Sequence, residues 1–145
     1  MTTAAYNPIG KATFWHHRVY FGDTDAAQVV YHARYVHWME AGRIEYLEAL
    51  GCPYTDFQAE KMGFVPIDVH VRYFKPLVFG DYFSVETKMV ALTQSTFTVK
   101  TRFLKNDTTM AEAEVVLAAL NEEKWKPTRV PRRLIEALMR FEANV

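Results

Sequence analysis

Residues 31–50 read "YHARYVHWMEAGRIEYLEAL", and how this run folds decides how the rest of the chain is arranged. Helix formers fill it. Gly51 followed by Pro53 ends it, with glycine in the left-handed cap position that other residues adopt at a cost. The run predicts a helix of about 30 Å at about 1.5 Å per residue. Tyr35, Trp38, Met39, Tyr46 and Leu50 supply apolar surface at helical spacings. Gly42 among them points to close contact with another backbone. Such a helix needs a surface to lie on.

The residues on either side provide one. Beyond Pro66 the period changes to two: "IDVHVRYF" (67–74) places Ile67, Val69, Val71 and Tyr73 on one face. "DYFSVETKMV" (81–90), "STFTVKTRFL" (95–104) and "MAEAEVVLAAL" (110–120) follow as three more strands, although the alanines and glutamates of the last also suit a helix. The breaks at 75–81, 91–95 and 105–109 are short enough for antiparallel hairpins. Upstream, "TFWHHRVYF" (13–21) reads as a first strand ended by Gly22-Asp23, after a loose lead-in over 1–12. A short helix is expected over 54–62, and Pro131 opens an amphipathic helix over 131–141. The order is strand, long helix, four antiparallel strands, helix. This is an α+β arrangement in one domain spanning 1–145, and a curved antiparallel sheet wrapping the long helix buries both. Periodicity alone does not separate it from other ways of laying a helix across such a sheet.

Several functions fall away on composition. Lys plus Arg equals Asp plus Glu at 17 each, so there is no net basic field to hold nucleic acid. The single cysteine, Cys52, has no partner for an internal disulfide. No signal-peptide core or run of about 20 apolar residues is present, which makes a soluble cytoplasmic protein with no membrane span the expectation. The two serines, Ser84 and Ser95, lie in no nucleophile elbow, and the six glycines are too scattered for a nucleotide loop. His16 and His17 are adjacent on a strand and point to opposite faces, and His32 and His37 are poorly spaced for one helical face. A metal site would need Asp23, Asp25 and His32 to converge; none is expected.

What remains is "FGDTDAAQVVYHARY" (21–35). Asp23 is read as satisfying backbone amides at the turn, a common role for aspartate. Asp25 stands too far before the helix to cap it simply. A carboxylate there faces any small electrophile held at the helix N-terminus, whose free amides attract developing negative charge.

These residues carry a resemblance. "RVYFGDTDAAQVVYHARYVHWMEAGRIEYL" resembles the Asp-x-Asp-x-x-Gly-x-Val-Tyr-His-x-x-Tyr signature of hotdog-fold acyl-CoA thioesterases of the 4-hydroxybenzoyl-CoA thioesterase and YbgC type. "VRYFKPLVFGD" (71–81) is similar to that family's Val-x-Tyr-x-x-Pro segment. The resemblance, over about residues 14–120, implies a five-stranded antiparallel sheet wrapped around a long central helix. It also implies a homodimer joined sheet edge to sheet edge, often a homotetramer, with sites at subunit interfaces. It makes Asp25 the catalytic carboxylate. His32 becomes the residue whose amide polarises the thioester carbonyl, or whose ring assists. The family's glycine is Gln28 here, which changes the loop and adds an amide to the pocket.

The implied reaction is hydrolysis of a small acyl or aryl thioester. A thiol of pKa about 8.5 leaves readily as an anion, so Asp25 suffices either as nucleophile or as general base toward water. No cofactor is implied beyond the coenzyme A or acyl carrier protein that carries the acyl group. Tyr31, Gln28 and Glu40 are the expected substrate contacts. For Glu40 the plainer alternative is an ion pair with Arg43, three residues on. Arg72, Lys75, Arg129, Arg132 and Arg133 are the cations available to phosphates. Two rival activities stay open: a hotdog protein that binds an acyl thioester without hydrolysing it, and a dehydratase acting on acyl thioesters.

Overall fold

A computed structural model describes residues 11–143 of the 145; apart from residues 11 and 12, the expected lead-in lies outside the described residues. The elements are β1 (Thr13–Arg18), α1 (Arg34–Ala49), α2 (Tyr54–Ala59), β2 (Met62–Tyr73), β3 (Tyr82–Leu92), β4 (Thr96–Lys105), β5 (Thr108–Asn121), the two-residue β6 (Lys126–Pro127) and α3 (Arg132–Ala143). Five strands pair antiparallel in the order β1-β3-β4-β5-β2, and β6 adds to β5. The sheet curls around α1, as expected. Residues 108–121 are strand rather than helix. Ala111, Ala113, Val115, Leu117 and Ala119 are all buried on one side, an alternation that only a strand produces.

Tyr35, Trp38, Met39, Gly42, Tyr46 and Leu47 form the buried stripe of α1, which packs against β1, β3 and β4. Gly42 sits where the approach is tightest. A Cβ there would lie 2.7 Å from Thr87 Oγ1 and 2.8 Å from Val85 Cγ1. The close neighbours anticipated for Gly42 are therefore side chains of β3, not a backbone.

Four boundaries differ from expectation. β1 ends at Arg18, and Phe21–Asp23 form a 3-10 turn in which the Tyr20 amide donates to Asp23 Oδ2 at 2.8 Å. The long helix begins at Arg34 rather than Tyr31; the Tyr31 amide donates to the Asp23 carbonyl at 2.9 Å, and the His32 carbonyl accepts from the Tyr73 hydroxyl at 2.8 Å rather than from an amide one turn on. α2 ends at Ala59 rather than 62, and β2 starts at Met62 rather than beyond Pro66. A register shift between Pro66 and Asp68 lets the proline sit in this edge strand, with Ile67 as the extra residue. Ile67 consequently leaves the face it was expected to share. Val69, Val71 and Tyr73 lie opposite Val115, Ala113 and Ala111 and so share the concave side with those buried residues. α1 does not reach far enough to cover them, and Val69 and Tyr73 remain 42% and 48% exposed.

The convex face carries charge instead. Arg102 donates to both carboxylate oxygens of Glu86, at 2.6 and 2.8 Å, and Lys100 pairs with Glu112 at 2.7 Å. His16 lies on this side, its Nδ1 2.8 Å from Ser84 Oγ, while His17 turns inward onto Trp38 and Phe83. The two histidines thus occupy opposite faces, as their adjacency on a strand requires. No helix among the described residues is long and apolar enough to cross a membrane.

Candidate active site

The loop between β1 and α1 folds on itself before the helix begins. Thr24 and Val30 form an antiparallel bridge, the Asp25 amide donates to the Val29 carbonyl at 2.9 Å, and the Gln28 amide donates to the Asp25 carbonyl at 2.9 Å. This is a small hairpin whose closing residue must be left-handed. Gln28 fills that position with φ 67°. Gln28 therefore adopts the conformation for which glycine is usual, so the substitution keeps the loop geometry at the cost of local strain. Its side chain is exposed.

The two aspartates divide their duties. Asp23 holds the loop to the helix: Oδ2 accepts from the Tyr20 amide and Oδ1 lies 3.1 Å from Arg34 Nε. That matches the backbone role read from its sequence position, and it leaves Asp23 apart from Asp25. Asp25 accepts the Ala27 amide on Oδ1 at 2.9 Å, an Asx turn that fixes its rotamer. No partner is recorded for Oδ2 among the described residues. Asp25 is half-buried and lines a cleft of about 290 Å³ with Val30, His32, Tyr35, Tyr73 and Lys75.

The head of α1 forms the opposite wall. The Tyr31 amide is used by Asp23 and the Arg34 amide by the Tyr31 carbonyl. Those of His32 and Ala33 donate to no group among the described residues. Free amides at a helix start present partial positive charge. Ala33, the N-cap, offers no side chain to quench them. Asp25, with one oxygen free of protein hydrogen bonds, and His32, whose amide donates to no group among the described residues, thus line the same small cleft.

Other expected contacts lie elsewhere in the single chain. Tyr31 meets His32 with tilted rings, 4.5 Å between centroids, but is exposed and outside the cleft. Glu40 is exposed on α1, also outside it. Glu40 and Arg43 form no direct ion pair among the described residues. Burial holds the Arg43 guanidinium below its usual range, and the nearby Glu40 charge partly offsets this. Of the five candidate cations only Lys75 lines the cleft. Arg72 turns to His70 and Arg133 to Glu60. Tyr73 and Lys75 reach the cleft from the end of β2, a proximity that no local sequence signal announces.

Residues 19–138 match the thioesterase-like superfamily. The chain belongs to this superfamily. Within it, the chain is similar to the acyl-CoA thioesterase YbgC of Haemophilus influenzae, 33% identical over 81% of this chain and 87% of the relative. The acyl-CoA thioester hydrolase YbgC of Escherichia coli is 31% identical over 83% and 91%. Among solved structures, a gentisyl-coenzyme A thioesterase superposes with a TM-score of 0.79 at 26% identity, covering 88% of this chain and 99% of that one. The superfamily's hotdog fold is the curled sheet and central helix described above. Its members here are thioester hydrolases, and so is this chain.

Proposed function

We propose that the protein hydrolyses acyl-CoA thioesters, with the Asp25 carboxylate as nucleophile or general base and the amides at the head of α1, that of His32 first, as the oxyanion site. The observation that carries this reading is the shared cleft: Asp25, with one oxygen free of protein hydrogen bonds, and His32, with a backbone amide that no protein group among the described residues accepts, both line it. The thioester carbonyl lies between them. As Asp25 attacks, or draws a proton from an attacking water, negative charge grows on the carbonyl oxygen and the amides receive it. Loss of one such donor raises the barrier by about 3–4 kcal/mol. The thiolate of coenzyme A then departs without a strong general acid. His32, exposed at the cleft, orients the attacking water or Asp25. No metal or cofactor enters the scheme, and turnover is expected to survive chelation by EDTA.

A second copy completes the site in this reading. β2 is the last strand of the sheet, so its outer backbone edge is unpaired among the described residues, and edges of this kind are templates for a further strand. Pairing β2 with its counterpart gives a homodimer with a continuous sheet and closes the cleft from outside; a homotetramer is the further assembly. Gln28, Tyr31 and Glu40, outside the cleft of one chain, are candidates to meet substrate bound across that junction. The lone buried Cys52 suits a reducing cytoplasm.

The test is release of free thiol from a panel of aliphatic and aromatic acyl-CoAs by wild type and Asp25→Asn. The substitution is nearly isosteric and keeps an acceptor for the Ala27 amide. Turnover should fall by about three or more orders of magnitude with the fold intact, the scale seen when a reacting group is lost. Near-wild-type turnover by Asp25→Asn would refute the assignment.

A further inference from the structure

The head of α1 has to hold its amides steady, and although Asp23 ties the loop to Arg34, no side chain caps the helix itself. Ala33 is the N-cap, and alanine is among the poorest residues in that position. The restraint comes from elsewhere in the chain. The Tyr73 hydroxyl donates to the backbone carbonyl of His32 at 2.8 Å, across 41 residues of sequence. We propose that Tyr73 is a positioning residue of this site, its phenol fixing the His32–Ala33 peptide, whose N–H stands next along the chain to the His32 amide as the second oxyanion donor.

Three observations support the assignment. Tyr73 is held at both ends. It is the last residue of β2, paired with Ala111, and the two amides that follow, of Phe74 and Lys75, both donate to the Met110 carbonyl, at 2.9 and 3.0 Å. Its ring meets Tyr35, in the first turn of α1, edge to face at 5.1 Å, and Tyr35 in turn packs at 5.1 Å on Phe103 of β4. The same segment makes a second tie, since the Leu77 carbonyl accepts the Val30 amide at 2.9 Å. The loop bearing Asp25 and the helix head are therefore both fastened to residues 73–77.

The chemical consequence follows from the peptide group. A trans peptide is planar, so its carbonyl and its N–H point in opposite directions and move as one body. A donor on the His32 oxygen fixes the direction of the Ala33 N–H and draws electron density toward the oxygen, which makes that N–H a stronger donor. Burial pushes the Tyr73 phenol up from its usual value, so it stays a donor throughout the neutral range.

This inference rests on the reading of the cleft given above, and the experiment separates the two. Wild type, Asp25→Asn, Tyr73→Phe and Tyr73→Leu are compared on the acyl-CoA that wild type turns over fastest, together with their melting temperatures. The backbone amide resonances of His32 and Ala33 are followed in the two Tyr73 variants. Tyr73→Phe keeps the ring on Tyr35 and removes only the hydroxyl. It should lower kcat about tenfold or more with KM within about twofold, shift the two amide resonances and leave the melting temperature unchanged. Tyr73→Leu should lower kcat by a similar factor while also melting earlier. A merely structural role would make kcat follow melting temperature across the pair, and that overturns the proposal. So does a Tyr73→Phe enzyme of wild-type kcat while Asp25→Asn is dead, in which case the reading of the cleft survives alone. Full activity in Asp25→Asn overturns both.

Discussion

Gly42→Ala measures how closely the site's helix is seated on the sheet. The added Cβ would meet Thr87 Oγ1 at 2.7 Å and Val85 Cγ1 at 2.8 Å, against an ordinary contact of about 3.5–4.0 Å. Both obstacles are buried side chains of β3, with Val85 and Thr87 fully shielded from solvent, so neither has room to swing aside. Inserting a methyl into such a place costs about 1–3 kcal/mol. With two contacts below 3.0 Å, the upper end of that range applies. Alanine returns about 1 kcal/mol through its better helix propensity. The net loss is therefore about 2 kcal/mol, equivalent to a fall of about 4–8 °C in Tm for a chain of this size. Urea or thermal unfolding reads it directly. In a Val85→Ala background one obstacle is gone, and the same substitution should cost less. Because the proposed oxyanion donors stand at the head of α1, lifting it from β3 should reduce kcat beyond what the lost stability explains. A Gly42→Ala protein as stable as wild type would show that helix propensity outweighs the contact and would refute the packing argument.

Three further outcomes are expected. Gln28→Gly should relieve the left-handed strain at φ 67° and leave stability unchanged or raised by up to about 1 kcal/mol, glycine's greater unfolded-state freedom offsetting part of the gain. Gln28→Val should lower stability, both by urea unfolding. The hydrogen bonds from Arg102 hold the Glu86 carboxyl below the usual carboxylate range. Its stabilising contribution is present above the unfolded value of about 4.3 and is lost as pH falls through the lower folded value. Arg102 is 40% exposed in its side chain, so Glu86→Gln should cost no more than about 1 kcal/mol at neutral pH, with the difference vanishing in acid titrations of Tm. Burial pushes the Cys52 thiol up and leaves it 1% exposed; it should resist a thiol-reactive chromophore in the native protein and react once per chain in denaturant. Rapid native labelling would contradict that burial.

Much of the architecture was legible because period and punctuation are local properties. Alternation over 81–120, the glycine and proline after residue 50 and the apolar spacing along α1 each follow from the geometry of one element. The choice of Asp25 as the proposed carboxylate came from the same kind of local reading, through its place before the helix and the motif resemblance of residues 21–35. The sequence by itself thus determined the order of elements, the buried stripe of α1 and the identity of the reacting carboxylate proposed here. Tertiary structure decided the rest, where a backbone group has more than one possible partner. Residues 31–33 have helical composition, yet they stay outside α1, where the His32 carbonyl accepts from the Tyr73 hydroxyl rather than from an amide one turn on. Gln28 looked like a departure in the loop, yet hairpin closure forces it into the glycine conformation. Tyr73 and Lys75 looked like part of a strand end and join the cleft only because β2 lies at the sheet edge beside the head of α1. The Tyr73–His32 pairing spans 41 residues, and no propensity or spacing within a single element encodes it.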